Sequence, residues 1–235
     1  MLQFNLKKNE AIKKLYYKKN NILSNLGEQL INNKLKLIKY NPINIIQFGE
    51  SFVVNDHMKQ IHLLKNFDEL LENRKKTKIF LSNFGFQIYL SYEENLIKFI
   101  YKLLNKNGLL CFNLITKNSF ITLRKLFYEI DENLFNGAYR RFGPFYDVQS
   151  IIEKLNKSNF TETVVSTESL ELNYSSLKKM RKEFKEFGIS NYYNDKTKYK
   201  KDFFVKTNRV FEKIIKKNDY FPIELEIATF TTWKS

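Results

Sequence analysis

Apolar residues along this chain recur with two alternating periods, one helical and one strand-like. In residues 20–39, Ile22, Leu23, Leu26, Leu30 and Ile31 fall at helical spacing. Asn41-Pro42 ends that segment, because a residue before proline is pushed out of the helical region. Residues 43–49 form a short β-branched run closed by Gly49, the pattern of a buried strand. Phe52-Val53-Val54 fits a second short strand, residues 61–73 are ambiguous with a helical turn over 68–72, and residues 78–82 fit another strand. A helix over 93–104 shows Leu96, Ile97, Ile100, Leu103 and Leu104 on one face, and Asn107-Gly108 is expected to stop it in left-handed geometry. Residues 109–114 then read as an apolar strand. Helices over 120–130, 148–155, 177–187 and 203–215, with strands over 161–165 and 224–232, complete the pattern. Strands alternating with helices predict an α/β layer structure with a mostly parallel sheet.

The 235-residue length suits a single domain with small insertions. A 43% hydrophobic content, with 22 Phe and 14 Tyr, supplies a core and argues against disorder. No apolar run is long enough for a membrane span, and residues 1–19 lack the apolar centre of a signal peptide. The single cysteine, Cys111, excludes internal disulfides and multi-cysteine metal sites, so a reducing cytoplasm is the expected compartment. His57 and His62 lie five apart, which does not place two imidazoles on one helical face, and no metal site is expected. His57, with Asp56 or Asp68 nearby, is a candidate base. The formal charge of +15 has two readings. One is an acidic partner. The other is compositional bias, since lysines spread along the whole chain while Gly and Pro number only 7 and 3. Nucleic acid is the less expected partner, because the basicity comes without an aromatic-basic motif.

Residues 81–110 carry a resemblance. Ser82-Asn83, a small hydrophobic run, Gln87, a helix and the Asn107-Gly108 turn resemble the fourth strand, following helix and fifth strand of the family that methylates malonyl-acyl carrier protein at the start of biotin synthesis (the BioC family). Ile88 stands where that family has an aromatic, and Asn107-Gly108 where it has Pro-Gly-Gly. Further on, residues 119–124, 142–160, 170–176, 184–191 and 222–233 resemble successive family passages in the same order. Methyltransferase-like assembly factors of respiratory complex I belong to the same family. The resemblance implies a Rossmann-like class I methyltransferase sheet with flanking helices and an abbreviated N-terminal half. It divides one domain into an N-terminal helical segment (1–42), a reduced cofactor-side half (43–118) and a substrate-side half (119–235). S-adenosylmethionine is the implied cofactor if the pocket is intact. The implied partner is an acidic acyl carrier protein or a respiratory-complex subunit.

In such a fold the first strand leads into an Asp/Glu-x-Gly-x-Gly turn that brings backbone close to the cofactor. Here it ends Gln47-Phe48-Gly49-Glu50-Ser51, with one glycine, and Gln47 where a carboxylate is common. Asp56, the nearest candidate for the ribose hydroxyls, follows Gly49 by only seven positions. Thirty residues separate Gly49 from Ile79, about half of what two βαβ crossovers of roughly 30 residues each need. At least one helix or strand is therefore expected to be missing or very short. The candidate cofactor residues are Phe48, Gly49, Glu50, Asp56, Ser82 and Asn83. The candidate substrate residues are Gln87, Arg124, Arg140, Arg141 and Asn191, the guanidinium groups being suited to a carboxylate or a phosphate. Two functions stay open: methyl transfer to a malonyl carboxylate, and a non-enzymatic relative that keeps the fold as a binding or assembly module. Plain structural roles compete at each position, Gly49 as a turn glycine and Arg124 as a solvated charge among them.

Overall fold

The computed structural model describes residues 21–38, 44–49, 61–93, 95–141, 143–188 and 201–235. In chain order these form helix α1 (Ile22–Lys36), strands β1 (Ile45–Phe48) and β2 (Ile61–Leu64), helix α2 (Phe67–Glu72) and strand β3 (Thr77–Asn83). Helices α3 (Phe86–Tyr92) and α4 (Leu96–Leu103) lead into β4 (Leu104–Ile115). Helices α5 (Ile121–Phe135) and α6 (Val148–Asn156) precede β5 (Phe160–Tyr174), and α7 (Leu177–Phe187) and α8 (Lys201–Asn218) precede β6 (Phe221–Lys234). The sheet order is β2-β1-β3-β4-β6-β5. Strands β2, β1, β3 and β4 pair in parallel, and β6 runs antiparallel to β4 from Leu109↔Trp233 to Ile115↔Ile227. This is the α/β layer structure with a mostly parallel sheet expected from the alternation of elements, in the Rossmann-like form that the resemblance implies.

Two compact units divide the chain. The first comprises Lys19–Lys117, Phe145–Glu168 and Ile227–Ser235. Its central strands are buried on both faces, so β1 reads Ile-Ile-Gln-Phe with every residue buried. Strand alternation sorts the core into two layers. Ile45, Ile79, Leu81, Leu109 and Cys111 meet Ile31 of α1, with Leu35, Ile38 and Trp233 at the margin. Burial pushes the Cys111 thiol up to about 12, against the smaller opposing effects of the Thr231 hydroxyl and Lys34. The opposite face is aromatic: Phe86 of α3 packs on Phe48, Phe80 and Phe112 at ring-centroid distances of 5.7, 6.1 and 5.2 Å, and Phe112 stacks on Phe230 at 4.9 Å.

The second unit comprises Met1–Lys18, Asn118–Pro144 and Ser169–Glu226, and its described residues carry α5, α7 and α8. Phe211 stacks on Phe221 at 3.7 Å, and Phe184 packs edge-on to Phe120 and Tyr174. Ser176 caps α7, the helix expected over 177–187, by accepting from Lys179 N, and Gly188 ends it at φ 74.

Several local expectations are corrected. The helix expected over 93–104 is α4, shortened to Leu96–Leu103, and an unexpected helix, α3, precedes it, with Glu93 extended between the two. Seven residues of mixed aromatic and apolar character give α3 too little periodicity to be read. The left-handed stop lies at Asn107 (φ 56), but α4 has already ended at Leu103, where Leu104 turns extended. Strand β5 has 15 residues, so the runs over 161–165 and 170–174 belong to one strand. The ambiguous stretch 61–73 resolves into β2 and α2, while Phe52-Val53-Val54 lies outside the described residues.

Helix α1 lies against the sheet so closely that a Cβ on Gly27 would sit 2.1 Å from Asn83 Oδ1, 2.4 Å from Phe84 Cε2 and 2.8 Å from Asn113 Nδ2. Replacing glycine by alanine ordinarily stabilises a helix interior by about 1 kcal/mol. Here overpacking outweighs that gain, and Gly27→Ala is expected to destabilise the protein by about 1–3 kcal/mol in urea unfolding. A stabilised variant would contradict the packing of α1.

Candidate functional site

Open α/β sheets bind ligands at the carboxyl ends of their strands, where the connections diverge to either side. That point lies at β1, which has β2 on one side and β3 on the other. Gly49 follows β1 with φ 107, a conformation that favours glycine, and its N–H donates to Leu64 O at 2.9 Å. A Cβ on Gly49 would come within 2.9 Å of Gly85 Cα, and one on Gly85 within 2.5 Å of Phe48 O. The end of β1 and the corner after β3 thus touch backbone to backbone. The Ser82 hydroxyl strengthens that contact by donating to Phe48 O at 3.1 Å. The Phe48 ring turns away from the rim into the aromatic layer, against Phe86 and Tyr89.

Amide side chains tie the rim together. Asn83 Nδ2 donates to Ser24 O at 2.8 Å, and Asn113 Nδ2 donates to Gly27 O at 2.9 Å. Asn113 Oδ1 accepts from Phe84 N at 2.8 Å. Phe84 holds a left-handed backbone, φ 56, which costs a non-glycine residue on the order of 1 kcal/mol. Gln87, in the first turn of α3, accepts from Ile115 N at 2.8 Å and donates to Ile115 O at 3.2 Å. Its side chain thereby continues the ladder of β4 past the paired strands. The Tyr146 hydroxyl donates to Gln87 O and lies 2.8 Å from Ser91 Oγ. Lys117 pairs with Asp147 at 2.6 Å and holds that carboxyl below its usual value.

Phe48, Gly49, Ser82, Asn83 and Gln87 are thus brought together on one rim. Glu50, Asp56 and Asn191, and His57 with them, lie outside the described residues. The arginines belong to the second unit. Arg124 and Arg140 are exposed. Arg141 is buried, with its Nε and Nη2 donating to the two carboxylate oxygens of Asp131 and its guanidinium 3.6 Å from the centre of the Phe203 ring. Nearby in the same unit, Thr122 donates its hydroxyl to Glu224. Burial pushes the Glu224 carboxyl up, but the Thr122 hydroxyl and backbone N–H groups outweigh it and hold the group below its usual value. Among the described residues no cluster of three or more His, Cys, Asp or Glu could hold a metal.

Sequence reasoning passed over Gly27, Gly85, Asn113 and Tyr146. Asn113 was the most visible of them, an amide inside the otherwise apolar run 109–114. Gly27 and Gly85 gave no signal, because what they touch is far away along the chain.

No family model matches the chain. Malonyl-[acyl-carrier protein] O-methyltransferase 1 of Coxiella burnetii is 29% identical over 124 residues, 53% of this chain and 41% of that protein. The chain thus spans about two-fifths of the length of the relative it matches. The YcgJ protein of Bacillus subtilis superposes with a TM-score of 0.52 at 7% identity, covering 87% of this chain and 97% of that one. A methyltransferase of Methanosarcina mazei superposes with a TM-score of 0.46 at 8% identity, over 86% of this chain and 96% of its own. The likeness to the Bacillus protein is one of fold, a Rossmann-like α/β sheet with flanking helices.

Truncating Gln87 leaves the buried N–H of Ile115 without its partner, at about 1–3 kcal/mol for the unsatisfied group, while the Ile115 carbonyl keeps the Tyr146 N–H at 3.4 Å. Gln87→Ala is expected to lower the unfolding free energy by about 2 kcal/mol or more in urea titration. A loss under about 0.5 kcal/mol would mean the amide is not the tie between α3 and β4.

Proposed function

We propose that this chain is an S-adenosylmethionine-dependent, methyltransferase-like protein acting on a malonyl group carried by an acidic acyl carrier protein. The observation that supports this reading most is the corner Ser82-Asn83…Gln87, which lies beside Gly49 at the carboxyl ends of β1 and β3. The same corner carries the resemblance to malonyl-carrier methyltransferases, and the Coxiella protein bears that name. The site suits the cofactor in one respect: Gly49 carries no side chain at the head of β1, as close approach to an amino-acid moiety needs, although the space its Cβ would take is filled by the Gly85 backbone. Gly49 and Asn83 would hold that moiety.

When bound, the cofactor would supply a sulfonium methyl to a carboxylate oxygen, its C–S bond breaking to leave a neutral thioether, with no proton to move. The chain's own residues therefore have to position and exclude water rather than act as acid or base. Arg124 and Arg140, both exposed, are the proposed contacts for the substrate carboxylate or a phosphate. Arg141, tied to Asp131, braces the helices instead.

A second reading is a fold relative without methyl transfer, acting as a binding or respiratory complex I assembly module. It is favoured by the internal use of the rim's polar groups: Ser82 on Phe48 O, Asn83 on Ser24 O, Gln87 on Ile115. It is favoured too by the short interval between β1 and β3, whose described residues hold one strand and one six-residue helix.

Calorimetric titration with S-adenosylmethionine and S-adenosylhomocysteine separates the two. The first reading expects micromolar binding, weakened tenfold or more in Asn83→Ala. No binding at millimolar ligand overturns it and leaves the binding module.

A further inference from the structure

The two ends of the strands in the first unit differ sharply in charge. At the carboxyl ends, residues 21–28, 48–49, 64–69, 83–87, 113–117 and 145–147 hold Lys65 and Lys117 against Glu28, Asp68, Glu69 and Asp147. At the amino ends, residues 34–38, 73–78, 102–108 and 232–235 hold nine basic side chains and no Asp or Glu. Two exposed acids, Glu72 between Leu71 and Asn73 and Glu162 beside Thr161, lie at the margin of that end and leave it strongly basic. A uniform lysine enrichment would load both ends alike, so composition alone does not produce this asymmetry.

The strand register places these segments side by side: Thr77 pairs with Leu104, and Leu109 with Trp233. Lys78 Nζ donates to Lys106 O at 2.9 Å, and Lys234 Nζ donates to Tyr101 O and Leu104 O, each at 2.8 Å. Burial, and then the neighbouring Lys76, hold the Lys234 ammonium below its usual value. A cavity of about 560 Å³ opens into this end, lined by Asn44, His62, Lys75, Lys76 and Thr77. It lies at the opposite end of the strands from Gly49 and Asn83, so it is distinct from the proposed cofactor rim.

Eight of the nine basic residues are lysines, compact point charges rather than the forked donors that read phosphates bidentately. Among them stands Leu37, next to Lys36 and 79% exposed. Leu71, 41% exposed, lies beside Arg74, whose Nη1 donates to Leu71 O at 2.6 Å. Protruding alkyl groups gain nothing against the phosphates of a nucleic acid, but they enter the headgroup–acyl boundary of a bilayer. Among the described residues no helix is long and apolar enough to cross a membrane, so such contact would be peripheral.

We propose that the amino end of this sheet docks on an anionic lipid bilayer, with its lysines against phosphate headgroups and Leu37 and Leu71 at the acyl boundary. The proposal goes beyond the methyltransferase reading and is tested without it. Full-length protein is co-sedimented with phosphatidylcholine vesicles containing or lacking phosphatidylglycerol. Binding is expected only to the anionic vesicles and is expected to fall with salt. Each lysine near such a surface contributes about 1 kcal/mol, a factor of about five. The exposed pair Lys75→Glu/Lys76→Glu is therefore expected to weaken binding by about 25-fold or more. The pair Lys178→Glu/Lys182→Glu on exposed positions of α7 changes the net charge equally and is expected to have a far smaller effect. Leu37→Asn is expected to reduce the binding that remains at high salt. Equal losses in the two charge-reversal pairs, an unchanged Leu37→Asn, or binding of a single-stranded oligonucleotide with none to vesicles would each overturn the proposal.

Discussion

The approach of Gly27 to the ends of β3 and β4 is the constraint on which the candidate rim depends. No side chain fits between α1 and the sheet there, because Asn83, Phe84 and Asn113 already occupy the space. In return, the two asparagine amides reach the carbonyls of Ser24 and Gly27, and Asn113 fixes the left-handed Phe84 through its backbone N–H. Buried amides are costly unless satisfied, so these bonds hold the rim and α1 in one geometry. The contact of Gly49 with Gly85 and the bond from Ser82 to Phe48 O extend the same tie to β1. The side chains proposed to bind at this rim are thus the same ones that hold its structure.

The aromatic layer serves a different purpose. Phe48, Phe80, Phe86, Phe112 and Phe230 fill the opposite face of the sheet, and the α1 side takes Asn83 and Asn113. In the second unit, Arg141 and Asp131 show how a buried charge is accommodated: a two-point carboxylate contact plus the face of Phe203. Removing one partner of such a pair strands the other, which makes the pair a structural commitment rather than a reserve for ligands.

Much of the fold was legible in the sequence because it rests on local signals. The apolar runs at 45–48, 78–82 and 109–114, the helix over 177–187 and the glycine that stops it follow from periodicity and backbone preference. Helix α3 was not legible, being seven residues of Phe, Tyr, Leu, Ile, Ser and Gln that suit a strand equally well. The candidate rim was legible only in part. Ser82, Asn83 and Gln87 came from resemblance, yet their hydrogen-bond partners, Phe48, Ser24 and Ile115, lie 34, 59 and 28 positions away. Bonds of that range leave no trace in local periodicity. Nor does Arg141 differ in sequence from the exposed Arg140 beside it; only the fold separates the brace from the solvated charge.

The central claim is that the head of β1 and the corner after β3 form one ligand rim. Amide hydrogen exchange, followed with and without S-adenosylmethionine, tests it residue by residue. Slower exchange at Gly49 and over residues 84–87, with residues 73–78 at the other end of the strands unchanged, is the expected result. Unaltered exchange at Gly49 and Phe84 in saturating ligand, or protection confined to the lysine-rich end, would contradict it.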